Sequence, residues 1–468
     1  MKKYLVIITA IFLGISVEAQ ESSMTFSLQE AIDFAIKNSY DNKVAQKDIE
    51  SAKQQKWETT TMGLPQVEAT VDYQNWLKQQ VSLLPAAAFD NSTSVVETVE
   101  QYFGITRTGS PVAPEGFIPL RFGTKQNVNA AVTLRQLIFD GSYLVGLQSA
   151  RTFLKISQQA KEKTELLTRE AVINAYGNVL ISEKSIEILE NNKKILEKNL
   201  SDAKKIYENG LNEEEDVEQL EITLGTIKSQ LNSVKRLKDI AYEMLNITLG
   251  NDINTVLTLT DSLDSLTESN IDLGLISQSF NLNNHIDYKI AENDRESKRL
   301  LMKLEQSKAL PTLNAFVNYG SQANSDTFSF LKGDQEWFNY SLLGVSLKVP
   351  IFSSLGRKAK TQRAKINLEI ADIRLKETEE KLALQVKKAK SDYQLSIEDY
   401  QTAKKNLNLA ERIEKKQRIK FFEGLSTSFD LTQAQNQLYS QQQTFIQSML
   451  DVIAKKAALE NALNIPVK

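Results

Sequence analysis

Apolar positions along this chain switch between two periods, and the switches come in the same order twice. From Ser27 to about Thr60 they recur at helical spacing (Leu28, Ala31, Ile32, Ala35, Ile36, then Val44 and Ala45) with no internal proline. Pro65 ends that run and the period drops to two. Val67, Ala69, Val71 and Tyr73 alternate with Glu68, Thr70, Asp72 and Gln74, the pattern of a strand with one wet face. Alternation returns at Val128, Ala130, Val132 and Leu134. Helical spacing then runs to Glu208, and at 1.5 Å per residue it predicts a helix roughly 100 Å long. That exceeds what a compact domain accommodates. Gly210 stops this helix, and a return helix closes at Gly250.

The second half repeats the cycle. Leu313, Ala315, Val317 and Tyr319 form one alternating run, and Leu343, Val345, Leu347, Val349 and Ile351 form another. Lys43-Val44-Ala45 matches Lys289-Ile290-Ala291, and Leu64-Pro65 matches Leu310-Pro311, both at an offset of 246. Near the turns, Gly210 pairs with Gly424, Leu211 with Leu425, Asp216 with Asp430 and Leu249 with Leu463, at an offset of 214. The pattern predicts a first repeat over residues 20–250, with strands about 66–77 and 127–139 and helices about 27–60, 142–209 and 212–249. A connector over 251–272 leads to a second repeat over 273–468. That repeat has strands about 312–320 and 340–351 and helices about 276–308, 355–423 and 427–463. Residues 79–126 hold several prolines and glycines and read as a long loop facing outside.

Composition changes this picture in several places. Glycine (18) and proline (8) are scarce over 468 residues, which suits long helices. A formal charge of −3 implies no bulk affinity for nucleic acid. Lys2 and Lys3, an apolar run from Tyr4 to Ile15 and Val17-Glu18-Ala19 together predict a signal peptide over 1–19. Cysteine is absent, so no disulfide forms and no cysteine can carry a lipid. After Ile15 no apolar run is long enough for a membrane-crossing helix. An exported chain of this kind is soluble or crosses a membrane as strands.

The strands favour the membrane. Four two-faced strands of about ten residues suit an outer-membrane barrel in length and alternation, whereas the helices are committed to one another through their own stripes. Four strands cannot close a barrel, and an open edge in lipid leaves backbone groups unpaired at several kcal/mol each. Three copies would supply twelve strands.

In its duplicated helix–strand–strand–helix–turn–helix order the mature chain resembles the outer membrane efflux protein family, the TolC-like outer-membrane factors. Leu64-Pro65, Leu310-Pro311, Leu137-Ile138-Phe139-Asp140-Gly141 and the two Gly-Leu turns with Asp six positions on carry the resemblance. The fold it implies is mainly α with a membrane β-barrel portion. A homotrimer would form a twelve-stranded barrel in outer-membrane lipid, continued by a long periplasmic α-helical barrel. The implied function is the passive exit duct of a tripartite efflux or type I secretion system in a Gram-negative bacterium. Its implied partners are a periplasmic adaptor (membrane fusion) protein and an inner-membrane transporter, and no cofactor is implied.

The resemblance makes the turns at Gly210-Leu211 and Gly424-Leu425 the periplasmic tip that adaptor hairpins engage. The residues alone ask less, since a glycine after a helix C-terminus serves any hairpin. Asp430 falls on the first aspartate of the family's constriction, and Asp216 is its repeat mate. The second aspartate's position holds Gln433, and the tyrosine and arginine of the closing network fall on Phe421 and Ser426. A plainer role for both acids is to complement the dipole in the first turn of a return helix, with Thr427 to Asp430 at capping-box spacing. Lys415, Lys416, Arg418 and Lys420 suit the C-terminal end of the preceding helix. Tyr73, Trp76 and Tyr319 lie near strand ends, where a barrel places an aromatic girdle.

An enzyme is not indicated. His285, the single histidine, aligns with Ser39 in the repeat and reads as a surface or cap residue, and no nucleophile motif, phosphate loop or metal set stands out. A second class keeps the long helices without a channel: a non-conducting coiled-coil tether spanning the periplasm. It leaves the four two-faced strands without a role. A diffusion porin would want more strands per chain and shorter helices.

Overall fold

A computed structural model describes residues 24–89, 92–106, 108–109, 115–210 and 213–466. The expected signal peptide over 1–19 lies outside them. The chain divides into a sheet unit, Trp57–Leu147 with Lys303–Ala359, and a helical unit built from the rest.

In the helical unit, β1 (Met24–Phe26) leads into α1 (Leu28–Asn38) and α2 (Tyr40–Thr61). The spacing predicts one helix over 27–60, but the chain breaks at Ser39. There the Ser39 hydroxyl accepts from the backbone N–H of Asn42 at 3.4 Å and from the Asn42 side chain at 2.9 Å. A buried serine that caps a new turn competes with the helix that would otherwise run through it.

In the sheet unit, β2 (Gln66–Asn75), β5 (Gln126–Asp140), β7 (Thr312–Ser325) and β8 (Phe338–Lys348) form one antiparallel sheet in the order β2-β5-β7-β8. The register aligns Val67 with Leu134, Leu134 with Val317, and Val317 with Leu343, so one face is a field of aliphatic side chains. The other face is polar. Arg135 lies 3.2 Å from Glu68, Asn127 donates to Asn324 at 2.8 Å, and the Tyr340 hydroxyl donates to Asn129 at 2.8 Å. β2 and β8 are its two edges.

Between β2 and β5 the chain is not the structureless loop its prolines suggest. β3 (Val81–Pro85) pairs with β4 (Phe117–Arg121), and α3 (Ser92–Phe103) lies between them. Proline and glycine punctuate this segment without forbidding short elements. Val95, Val96, Val99 and Phe103 keep helical spacing between Pro85 and Pro111.

The first long helix, α4 (Gly141–Glu208), is followed by α5 (Glu214–Leu249). Residues of the expected connector form β6 (Leu257–Leu259), which pairs in parallel with β1, and α6 (Leu263–Ser269); the single turn α7 (Leu273–Ile276) follows just beyond it. The helix expected over 276–308 starts only at α8 (Ile286–Ser307), because the Nδ1 of His285 accepts the backbone N–H of Asp287 at 3.2 Å and caps it. The second hairpin is α9 (Gly356–Phe422) and α10 (Ser428–Ala462). The main helical core joins Val172, Tyr176 and Leu180 of α4 to Leu245, Tyr393, Ile446, Met449 and Leu459. Tyr176 and Tyr393 are fully buried and both pin the connector. The Tyr176 hydroxyl lies 3.0 Å from the Phe26 carbonyl and 3.0 Å from Asp261, and that of Tyr393 donates to the Asn270 carbonyl at 2.6 Å.

Candidate functional site

The sequence directs attention to the two turns, and the second is complete among the described residues. α9 ends with Gly424 at φ +69°, where the Leu425 N–H donates back to the Lys420 carbonyl at 2.8 Å and the Gly424 N–H to the Phe421 carbonyl at 3.0 Å. This glycine-terminated pattern satisfies carbonyls the helix end would leave open. Gly210 ends α4 with the same φ of +69°, its N–H donating to the Tyr207 carbonyl at 2.7 Å. A side chain at either glycine would meet open space, so the backbone angle alone selects glycine there. Leu211 lies outside the described residues. Leu425 is 71% exposed, and Phe429, which the sequence reading passed over, is 72% exposed.

The two aspartates take different partners. Asp430 closes a capping box: its carboxylate accepts from the Thr427 hydroxyl at 3.0 Å and the Thr427 N–H at 3.3 Å, while the Asp430 N–H donates to the Thr427 hydroxyl at 3.2 Å. Asp216 reaches the other hairpin. Its Oδ1 accepts the backbone N–H of Ser428 at 3.2 Å, an open donor of the first turn of α10. One acid therefore caps the start of its own helix, and the other ties the two repeats together. No spacing along the chain announces the second role.

Beneath the turns lies a small core of Leu196, Ala203, Val217, Leu220, Phe421 and Leu431. Phe421 is buried in it, and the Ser426 hydroxyl lies 3.5 Å from the Gln417 carbonyl. A residue missed by the sequence reading sits just above. Glu414 is buried, and burial pushes its carboxyl above the ordinary range although Arg418 lies 3.5 Å away. Burial and the nearby Glu414 push the Tyr439 phenol up as well.

Further from the turns, α4 and α5 carry a ladder of ion pairs. Lys204 meets Glu221 at 2.6 Å, Lys228 meets Glu197 at 3.4 Å, and Lys235 meets Glu190 at 2.9 Å, seven residues apart on each helix. The matching positions of α10, at the offset of 214, hold Gln435, Gln442 and Met449. A groove of about 700 Å³ opens between α4, α5 and α10, lined by Gln219, Thr226, Gln230, Asn436 and Gln443 among others.

The aliphatic face of the sheet is the other candidate surface. Leu343, Val345 and Leu347 of β8 are 74%, 68% and 62% exposed, and Val67, Val132, Val317 and Tyr319 are exposed beside them. Soluble monomers rarely leave so continuous an apolar field in water. At one end, Phe330 of the β7–β8 loop is buried against Val128 and Ala323, and Tyr73 packs edge-on against Phe328 and Phe330. Among the described residues no helix is long and apolar enough to cross a membrane.

The sequence profile of outer membrane efflux proteins matches residues 31–251 and 279–464. Among solved structures, the outer membrane protein VceC of Vibrio cholerae superposes with a TM-score of 0.68 at 14% identity, over 94% of this chain and 97% of that one. The CmeC outer membrane channel of Campylobacter jejuni gives 0.68 at 16% identity, over 96% and 90%. The MtrE outer membrane channel of Neisseria gonorrhoeae, solved in an open state, gives 0.67 at 15%, over 93% and 88%. At these identities the shared property is the fold. No curated protein sequence matches the chain.

Proposed function

This chain belongs to the outer membrane efflux protein family, and we propose that three copies assemble into a passive exit duct opened at its periplasmic tip. One observation carries the assembly: a four-stranded sheet with an uncovered aliphatic face, a polar face and two open edges. In lipid those edges must be paired, and joining β8 of one copy to β2 of the next closes a wall of twelve antiparallel strands. The polar face with Glu68, Arg135 and Asn318 then lines the lumen. A periplasm-spanning tether would give this sheet no work.

At the tip, the two hairpins are the elements that move. Gly210, Leu211, Gly424 and Leu425 form the docking edge for a periplasmic adaptor protein, which couples the duct to an inner-membrane transporter. The groove along α5 and α10, where Ile222, Val234 and Ile446 lie among glutamines and threonines, suits an amphipathic helical partner. Asp430 and Asp216 ring the entrance and favour cations. The Asp216 to Ser428 bond holds the hairpins in one arrangement, and the adaptor biases the alternative.

Mass measurement in detergent and planar-bilayer recording test this reading. The expected result is a trimer of small, mostly closed conductance whose cation preference falls in Asp430→Ala. A stable monomer overturns the duct. A trimer whose selectivity is unchanged in Asp430→Ala removes the gate assignment alone.

A further inference from the structure

The two strand-to-helix junctions of the duplicated sheet are not alike. In the first, Ile138-Phe139-Asp140-Gly141 passes straight into α4, and Asp140 caps it by accepting the N–H groups of Ser142 at 2.6 Å and Tyr143 at 3.1 Å. No basic residue follows until Arg151. In the second, Ile351-Phe352-Ser353 is separated from Gly356 by two additional residues, Ser354 and Leu355. Both adopt left-handed backbone, at φ 49° and 62°. Ser353 replaces the capping acid, its hydroxyl accepting from the Arg357 N–H at 3.4 Å.

The extra residues present an apolar step followed by cations. Ile351 is 89% exposed, and Phe352 and Leu355 are exposed as well. Ile351 keeps the two-residue spacing of Leu343, Val345, Leu347 and Val349 and follows the end of β8 at Lys348 by three residues, so it lies just beyond the strand that carries the aliphatic face. From Leu343 to its end at Lys348, β8 covers about 17 Å along the strand, or about 13 Å of bilayer depth at a tilt of about 40°. Arg357 and Lys358 come next, and the Arg357 guanidinium donates to the Ile351 carbonyl at 3.3 Å, which holds it beside the apolar step. Among the described residues neither cation has an acidic partner. The sequence continues with Lys360, Arg363 and Lys365, and the first acid is Glu369. Cations in the first turn of a helix oppose its dipole, so an anion from outside is what this surface lacks.

We propose that the Ile351–Lys358 junction docks an anionic glycerophospholipid of the leaflet on the periplasmic side, its phosphate held by Arg357 and Lys358 and its acyl chains lying against Ile351, Phe352 and Leu355. This rests on the outer-membrane reading above, through the assignment of the aliphatic face to lipid. Continuity with that face fixes the depth, and the charge selects an anionic headgroup over a zwitterionic one. A basic residue at a membrane surface attracts anionic lipid by about fivefold each, and Arg357 can bind phosphate with two parallel N–H groups.

The absence of cysteine allows a direct test. The full chain carrying Leu355→Cys, labelled with an environment-sensitive fluorophore, is inserted into phosphatidylethanolamine vesicles. These contain a minor share of nitroxide lipid with either a phosphatidylglycerol or a phosphatidylethanolamine headgroup. The expected result is about fivefold or greater preference for quenching by the phosphatidylglycerol probe, abolished by Arg357→Gln with Lys358→Gln. If that variant fails to insert, molar salt on the parent protein serves instead and is expected to remove the preference. Equal quenching by the two probes overturns the proposal, as does a preference that survives loss of both cations or molar salt. Absence of quenching by either probe shows that a second copy covers Leu355, and it overturns the proposal too. Failure to enter vesicles at all would count against the channel reading, whereas insertion without headgroup preference counts only against the lipid site.

Discussion

Asn464 holds the start of α8: its Oδ1 accepts the backbone N–H of Ile286 at 2.9 Å, while its Nδ2 donates to the Asn284 carbonyl at 3.2 Å. Asn464 follows the end of α10 with a left-handed φ of 54°. Its counterpart at the offset of 214 is Gly250, at φ 83° after α5, and a side chain there would strike the Asn38 carbonyl at 2.2 Å. Asn38 and Asn284 are themselves counterparts at the offset of 246. The duplication thus preserves a three-way joint between a helix end, a left-handed residue and the next helix start. One copy solves it with a missing side chain, and the other with a bridging one.

Asn464→Ala is therefore expected to lower the unfolding midpoint by the equivalent of about 1–3 kcal/mol, from lost hydrogen bonds and backbone strain together. Asn464→Gly keeps the backbone angle and should cost less. Thermal unfolding of the two variants in detergent checks the order, and equal losses would show that the angle is unimportant.

Asp216→Ala removes the bond to the Ser428 N–H. Closed-state conductance should rise, whereas Asp216→Asn, which retains an accepting oxygen, should stay near the parent. Single-channel recording that finds both variants equally leaky would assign the effect to charge instead.

His285 is buried, and burial pushes its imidazole below the usual value of 6.5 despite the nearby Asp287. The folded chain holds it neutral, while the unfolded chain takes up a proton near pH 6.5. Its contribution to stability is thus present above that pH and is lost as pH falls from there toward the lower folded value. The unfolding midpoint should drop between pH 7.5 and 5.5. It should drop less in His285→Asn, which can cap α8 without titrating.

Glu414 has the opposite sign. Its carboxyl is raised by burial, so it favours the fold when neutral and opposes it once ionised above the raised value. Glu414→Gln should raise the unfolding midpoint at pH 7.5, with the gain shrinking as the pH is lowered through the carboxylate range. A gain independent of pH would point to packing rather than charge.

The Lys204–Glu221 rung is half-exposed on both sides, so Lys204→Glu should cost no more than about 1 kcal/mol. Adding Glu221→Lys should restore most of it at low salt, and molar salt should flatten the cycle. Persistence in high salt would mean that the side chains matter for their aliphatic stems.

Much of this architecture was legible along the chain because its elements are long and each keeps one period. Tyr73 to Val67 can satisfy only a two-residue repeat, and the proline-free stretch before Gly210 only a 3.6-residue one, since the spacing of side chains follows the backbone rise. The turns were legible for a similar reason. Gly210 and Gly424 stand where a helix must reverse, and few other residues accept that backbone angle at little cost.

What the chain could not announce was the joining of segments far apart in it. Asp216 and Asp430 are repeat mates in sequence, yet one caps its own helix and the other crosses to Ser428. Glu414 resembles its solvated neighbours until the second hairpin folds over it. The breaks at Ser39 and His285 are met by Gly250 and Asn464, more than 170 residues away. Local periodicity determined the parts of this protein and their order. Which polar groups are buried, and which partners they meet, was decided only when the helices closed on one another, because burial and hydrogen bonding depend on surroundings that no single stretch contains.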